Sequence, residues 1–138
     1  MTTRITFRFR VLAVASCLGW AAVCSAVCSA DEMVLSHFDG TGFGGWKATG
    51  TAFQKGPASG DLLAQLEIEN AGGLNVASSE IEGDQPMGTL TSPDFTISRK
   101  YLSFRIGGGN YEIHTCLNLL INGKAVRSAT GWKSDRLV

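Results

Sequence analysis

The sequence predicts an all-β domain, and three observations carry that expectation. Apolar residues alternate with polar ones in short runs, glycine and Asn-Gly turns separate those runs, and no stretch has the spacing of an amphipathic helix. Leu102, Phe104 and Ile106 alternate with Tyr101, Ser103 and Arg105. Leu117, Leu119 and Ile121 alternate with Cys116, Asn118 and Leu120. Leu62, Ala64, Leu66 and Ile68 fall on one side of "LLAQLEIE", with Gln65, Glu67 and Glu69 on the other. Period two with one apolar side predicts antiparallel pairing over a core.

The strongest local signal is "LLINGKAV". Asn122-Gly123 suits the two positive φ angles of a type I′ turn, so strands over Thr115 to Ile121 and Lys124 to Ala129 should pair directly. Further strands are expected at Val34 to Phe38, Trp46 to Phe53, Leu74 to Ser78, Gly88 to Thr91 and Phe95 to Ile97. About eight short strands with glycine-rich turns imply an antiparallel β-sandwich of jelly-roll type. Gly107-Gly108-Gly109 reads as a bulge or tight loop where Cβ atoms would clash.

The first thirty residues read differently. Arg4, Arg8 and Arg10 precede "VLAVASCLGWAAVCSAVCSA", and Cys28, Ser29 and Ala30 are small. Basic start, apolar middle and small end make the pattern of a helical signal peptide over 1-30, cleaved after Ala30 or, second, after Ala26. The run from Val11 to Ala30 is barely long enough to span a membrane and is interrupted by Ser, Gly and Cys. The expectation is a secreted or periplasmic protein whose mature part, 31-138, forms one domain with no membrane attachment. All twelve acidic residues lie from Asp31 onward, against nine basic ones. That excess of negative charge, with no basic stripe, excludes nucleic acid as a partner. Of four cysteines only Cys116 lies outside the leader, so an internal disulfide is excluded there. Within "TCLNLLI", Cys116 is expected to be buried as a small hydrophobe.

Three segments, "SHFDGTGFGGWKATGTAFQKGPASG", "GTLTSPDFTISRKYLSFRIGGG" and "TCLNLLINGKAVRSATG", share an order of landmarks. These are Asp39-Gly40, Gly45-Trp46, Ser92-Pro93-Asp94-Phe95, the triple glycine and Asn122-Gly123. In them the chain resembles the β-sandwich found ahead of the catalytic domain in bacterial secreted levanases and other fructan hydrolases of glycoside hydrolase family 32. The resemblance covers nearly all of residues 33 to 131. It implies an accessory module whose partners are a polysaccharide, fructan in the first place, or a catalytic domain that the module braces. The chain departs from the pattern after Gly131. The Trp-Asp pair, Gly-Lys turn and closing strand of that module are missing, as is the five-bladed catalytic propeller. The expectation is therefore an N-terminal fragment or shortened version, incomplete at its C-terminus and poorly soluble alone, with a frayed last segment.

No catalytic residue is expected. Family 32 enzymes use a carboxylate nucleophile and a carboxylic acid. Their Asn-Asp-Pro-Asn-Gly-like, Arg-Asp-Pro and Glu-Cys segments do not occur here. Nor does a Gly-x-Ser-x-Gly elbow, a His-Glu-x-x-His zinc site or a phosphate loop. No cofactor or metal is implied, since Asp31, Glu32 and Asp39 are too scattered to define a calcium site. Sugar binding would need aromatic faces with amide or carboxylate partners. The candidates are Trp46, Asn110, Tyr111, His114 and Trp132. Trp46 opens a strand after Gly-Gly and suits a core. Tyr111 and His114 fall in a loop, where binding groups concentrate, and Trp132 is expected to be exposed at the shortened end. A free-standing secreted carbohydrate-binding or cell-surface interaction protein, and an inactive gene fragment, are the alternatives.

Overall fold

The computed structural model describes residues 3–9 and 33–138. Its elements are β1 (Thr3–Phe9), β2 (Lys47–Gly50), α1 (Asp61–Gln65), β3 (Gly88–Phe95), β4 (Thr115–Ile121) and β5 (Lys124–Ala129). The strands form one five-stranded sheet in the order β2-β3-β1-β4-β5. The all-β expectation holds.

The β4–β5 hairpin falls on the expected bounds. Asn122 and Gly123 have φ of 50° and 78°, as a type I′ turn requires. Antiparallel pairing holds there and between β2 and β3. The centre of the sheet departs from the expectation, because β1 runs parallel to both β3 and β4. Thr3–Phe9, at the start of the expected helical leader, is extended. "TRITFRF" is rich in β-branched and aromatic residues that favour strands, and pairing on both sides occupies its backbone groups. Residues 10–32, with the apolar run and both expected cleavage points, lie outside the described residues.

Pro93 sits inside β3, where a missing N–H would normally break a ladder. The register resolves this. Thr6 pairs with Thr91 and Arg8 with Asp94, so one residue of β1 faces both Ser92 and Pro93 in a β-bulge. The β2 ladder ends at Thr91 and never reaches the proline.

"LLAQLEIE" is not a strand. Asp61–Gln65 make one helical turn, and Glu67 takes a left-handed φ of 55° that ends it. Leu62, Leu63 and Leu66 are half-buried at helical spacing. A short apolar run satisfies either period, and chain reversal at Glu67 decides this one.

The core has two clusters. Phe43, Ala52, Phe53 and Leu90 are buried together, with Phe38, Trp46 and Ala77 against them. Leu117 is the buried centre of the other, covered by Leu35, Trp46, Phe95, Leu102, Ile106, Leu119 and Ile121. Trp46 joins the two clusters. Aromatic edges meet faces throughout the first, with Phe38–Phe43 centroids 5.5 Å apart and Phe43–Phe53 5.8 Å, the geometry favoured by ring quadrupoles.

Beside the sheet, three irregular segments are laced by backbone hydrogen bonds. Ile106 and Val138 exchange both N–H···O bonds, at 3.1 and 3.2 Å, and the Gly108 N–H donates to Ser134 O at 2.6 Å. The Leu137 N–H donates to Glu69 O at 3.0 Å, and the Asn70 side-chain amide to Leu137 O at 2.7 Å. The last segment is therefore not frayed. It lies between residues 69–70 and 106–108, with Leu137 buried.

Candidate functional site

These laced segments and the start of β4 enclose a cleft of about 170 Å³, smaller than the roughly 300–1,000 Å³ usual for small-molecule sites. It suits one small polar group rather than a long oligomer. Gly107–Gly109 form one wall, with Arg105 and Ile106 before them. Thr115, Cys116 and Leu117 supply the floor, and Ser78, Ser79, Glu80 and Asp135 the polar rim.

The glycine wall exists because of a close backbone crossing. A Cβ on Gly131 would lie 2.6 Å from the Gly107 carbonyl carbon and 2.7 Å from its oxygen. Gly108 takes a φ of 93°, which disfavours a side chain. Gly107–Gly109 thus form a strap that is pressed against residues 131–134 and also lines the cleft. Here the sequence expectation of a tight loop is met.

Thr115 is the polar group left over. Its Oγ1 is enclosed and has no hydrogen-bond partner among the described residues. An enclosed hydroxyl without a partner costs stability unless water or a ligand meets it. Glu80 carries the second signal. Partial burial, then the negative charges of Asp135, Asp84 and Glu67, push its carboxyl above the ordinary 4.5. A carboxyl that holds its proton longer can donate a hydrogen bond as well as accept one. Arg105, which also lines the cleft, donates from Nη1 to Asn70 O at 2.8 Å. No group of three or more His, Cys, Asp or Glu side chains suited to a metal occurs among the described residues.

The residues singled out from sequence are dispersed around this site. Trp46 is half-buried between the core clusters, its ring 5.3 Å from that of Phe38, and offers no free face comparable to the exposed aromatics. Asn110 accepts from the Thr130 hydroxyl at 2.9 Å, which ties the loop after the strap to the end of β5. Tyr111 is 60% exposed, and its ring edge comes 3.3 Å from where a Cβ on Gly109 would stand. His114 is exposed in the same loop. Trp132 is 80% exposed, and its neighbour Gly131 packs on the strap. Asn110, Tyr111 and Trp132 therefore gather around Gly107–Gly109, whereas Trp46 does not. Glu80, Arg105, Thr115 and Asp135 were missed. Cys116 is 5% exposed, in keeping with its expected burial.

No protein-family model matches the chain, and no solved structure matches it. The chain is 33% identical over 110 residues to the protein of Aspergillus rugulosus named "Putative glycosyl hydrolase ecdE". The aligned part takes in 78% of this chain but only 16% of that relative's length. No helix among the described residues is long and apolar enough to cross a membrane. The chain thus resembles a small part of a protein that carries a glycosyl hydrolase name.

Proposed function

We propose that the chain is a non-catalytic accessory module of a levanase-like protein of glycoside hydrolase family 32, associated with fructan or bracing a catalytic domain. In this reading the sheet and the laced segments are the two layers of a jelly-roll-like sandwich, and residues 1–30 direct export. The observation that carries the proposal is the coverage: the chain aligns with only 16% of a relative bearing a glycosyl hydrolase name. The absence of the family's three catalytic segments from the sequence agrees with it. Sugar hydroxyls would meet Glu80 and Asp135 in the cleft. Tyr111 and Trp132 would offer their faces beside the strap, where stacking on a sugar ring excludes water.

A free-standing secreted carbohydrate-binding protein is the second reading, favoured by the exposure of Tyr111 and Trp132 next to one small cleft. Affinity electrophoresis of the full chain in gels containing levan, inulin or an unrelated glucan tests both readings. Retardation by levan or inulin, reduced in Trp132→Ala and Glu80→Ala, is expected, with no fructose released. Retardation by the glucan alone favours the second reading. Equal mobility in every gel counts against carbohydrate binding, and released fructose counts against a non-catalytic role.

A further inference from the structure

Strand β1 holds an unusual place in the sheet. Its seven residues all pair with β4, and six pair with β3. Without it, β2/β3 and β4/β5 become separate two-stranded pieces, which are marginal alone. Adjacent strands lie ~4.8 Å apart, so β3 and β4 stand about 9.6 Å apart and cannot hydrogen-bond each other directly. Two unpaired edges would face one vacancy a single strand wide. Both edges run in the same direction, so an inserted strand is parallel to both or antiparallel to both, and β1 is parallel to both. The bulge at Ser92-Pro93 sets its register.

We propose that Thr3–Phe9 is an intramolecular donor strand: it fills a strand-acceptor slot between β3 and β4, and removal of the leader opens that slot. The same residues thus serve as the start of an export leader and, while retained, as the middle of the sheet. Backbone pairing on both sides supplies the affinity, as in β-strand addition to an exposed edge. An opened slot is also an aggregation template, which gives the retained strand a protective role. The inference stands on strand pairing and is independent of the carbohydrate reading; only the opening step draws on the export reading.

Hydrogen exchange on the full chain tests it. Ile5→Pro removes one N–H donor in mid-strand and fixes φ. Amides of β3 and β4 are expected to exchange at least about tenfold faster in this variant, while those of Ile106 and Val138 keep their rates. Loss of protection everywhere also supports the proposal, because a segment outside the fold would disturb nothing. A second measurement uses a specific protease site inserted within residues 10–32. After cleavage the fragment bearing residues 3–9 should co-elute with the remainder. A synthetic peptide of residues 3–9 in excess should restore slow exchange to Ile5→Pro. Unchanged exchange in Ile5→Pro, a fragment that elutes separately, or a peptide without effect would each overturn the donor-strand assignment.

Discussion

Leu90→Ala probes the packing on which the sheet depends. Leu90 lies in β3, is 0% exposed and is the largest fully enclosed side chain among the described residues. It pairs through its backbone with Ile5 and Ala48, and its side chain joins Phe43, Ala52 and Phe53. The substitution deletes three carbon groups, worth about 2.4 kcal/mol at roughly 0.8 kcal/mol each. The neighbours are aromatic rings locked edge to face, so they collapse poorly into the space. A residual cavity of ~50–100 Å³ adds roughly 1.2–2.4 kcal/mol. The expected loss is therefore about 3.5–5 kcal/mol, against a total of about 5–15 kcal/mol for a domain of ordinary stability. Urea denaturation followed by tryptophan fluorescence measures it, as a lower midpoint at unchanged slope. Val126→Ala, at a 37% exposed position on β5, is the control and should lose far less. A loss below about 1 kcal/mol for Leu90→Ala, given the range of about 2–5 kcal/mol for buried leucines, would refute the placement of the core beneath β3.

Gly131→Ala should cost about 1–3 kcal/mol, because its Cβ would strike the backbone of Gly107 and Gly108, which cannot swing aside. Denaturation midpoints check this, and any polysaccharide retention should fall as well. Glu80→Gln should stabilise the chain at pH 7 more than at pH 4. The folded carboxyl is raised above 4.5, so the folded state holds a proton that the unfolded state has released, and stability falls as pH rises through that window. Paired thermal melts at the two pH values read the difference; equal shifts would contradict it. Cys116, buried at 5% exposure, should react with a thiol reagent far more slowly in the native chain than in urea, as a time course of labelling shows.

The parts of the fold that were legible in sequence are those with local codes. Asn122-Gly123 dictates its own turn, so β4 and β5 were found to the residue. Their cores followed, because Leu117, Leu119 and Ile121 share a side at period two. The parts that were not legible depend on partners distant in sequence. The cleft joins residues near 70, 80, 107, 115 and 135, held by single bridges such as Glu69–Arg136 and Gly108–Ser134. Such contacts leave no periodic trace, so Glu80, Arg105, Thr115 and Asp135 looked like ordinary polar residues. Only the triple glycine announced the close crossing. Strand β1 was hidden for a different reason: a basic, mixed-polarity start suits a leader, and the same alternation suits a strand.

The slot and the cleft share a residue, and this links the two proposals mechanically. Thr115 begins β4, where its backbone pairs with Thr3 of β1. Its N–H donates to Tyr111 O at 2.9 Å, and its hydroxyl packs against Gly109, 2.9 Å from where a Cβ there would stand. A strand end paired on only one side frays, and the first residue of β4 would then lose the anchor that fixes the hydroxyl and the Tyr111 loop. Filling the slot therefore holds the cleft floor in place at no cost in new contacts with a ligand, the general effect of pre-organisation. Ile5→Pro should accordingly weaken retardation by levan or inulin although residue 5 is not among those lining the cleft, and excess peptide of residues 3–9 should recover it. Retardation that survives Ile5→Pro while β4 exchanges freely would show that the cleft forms without the strand, and the coupling would fail even if both sites exist.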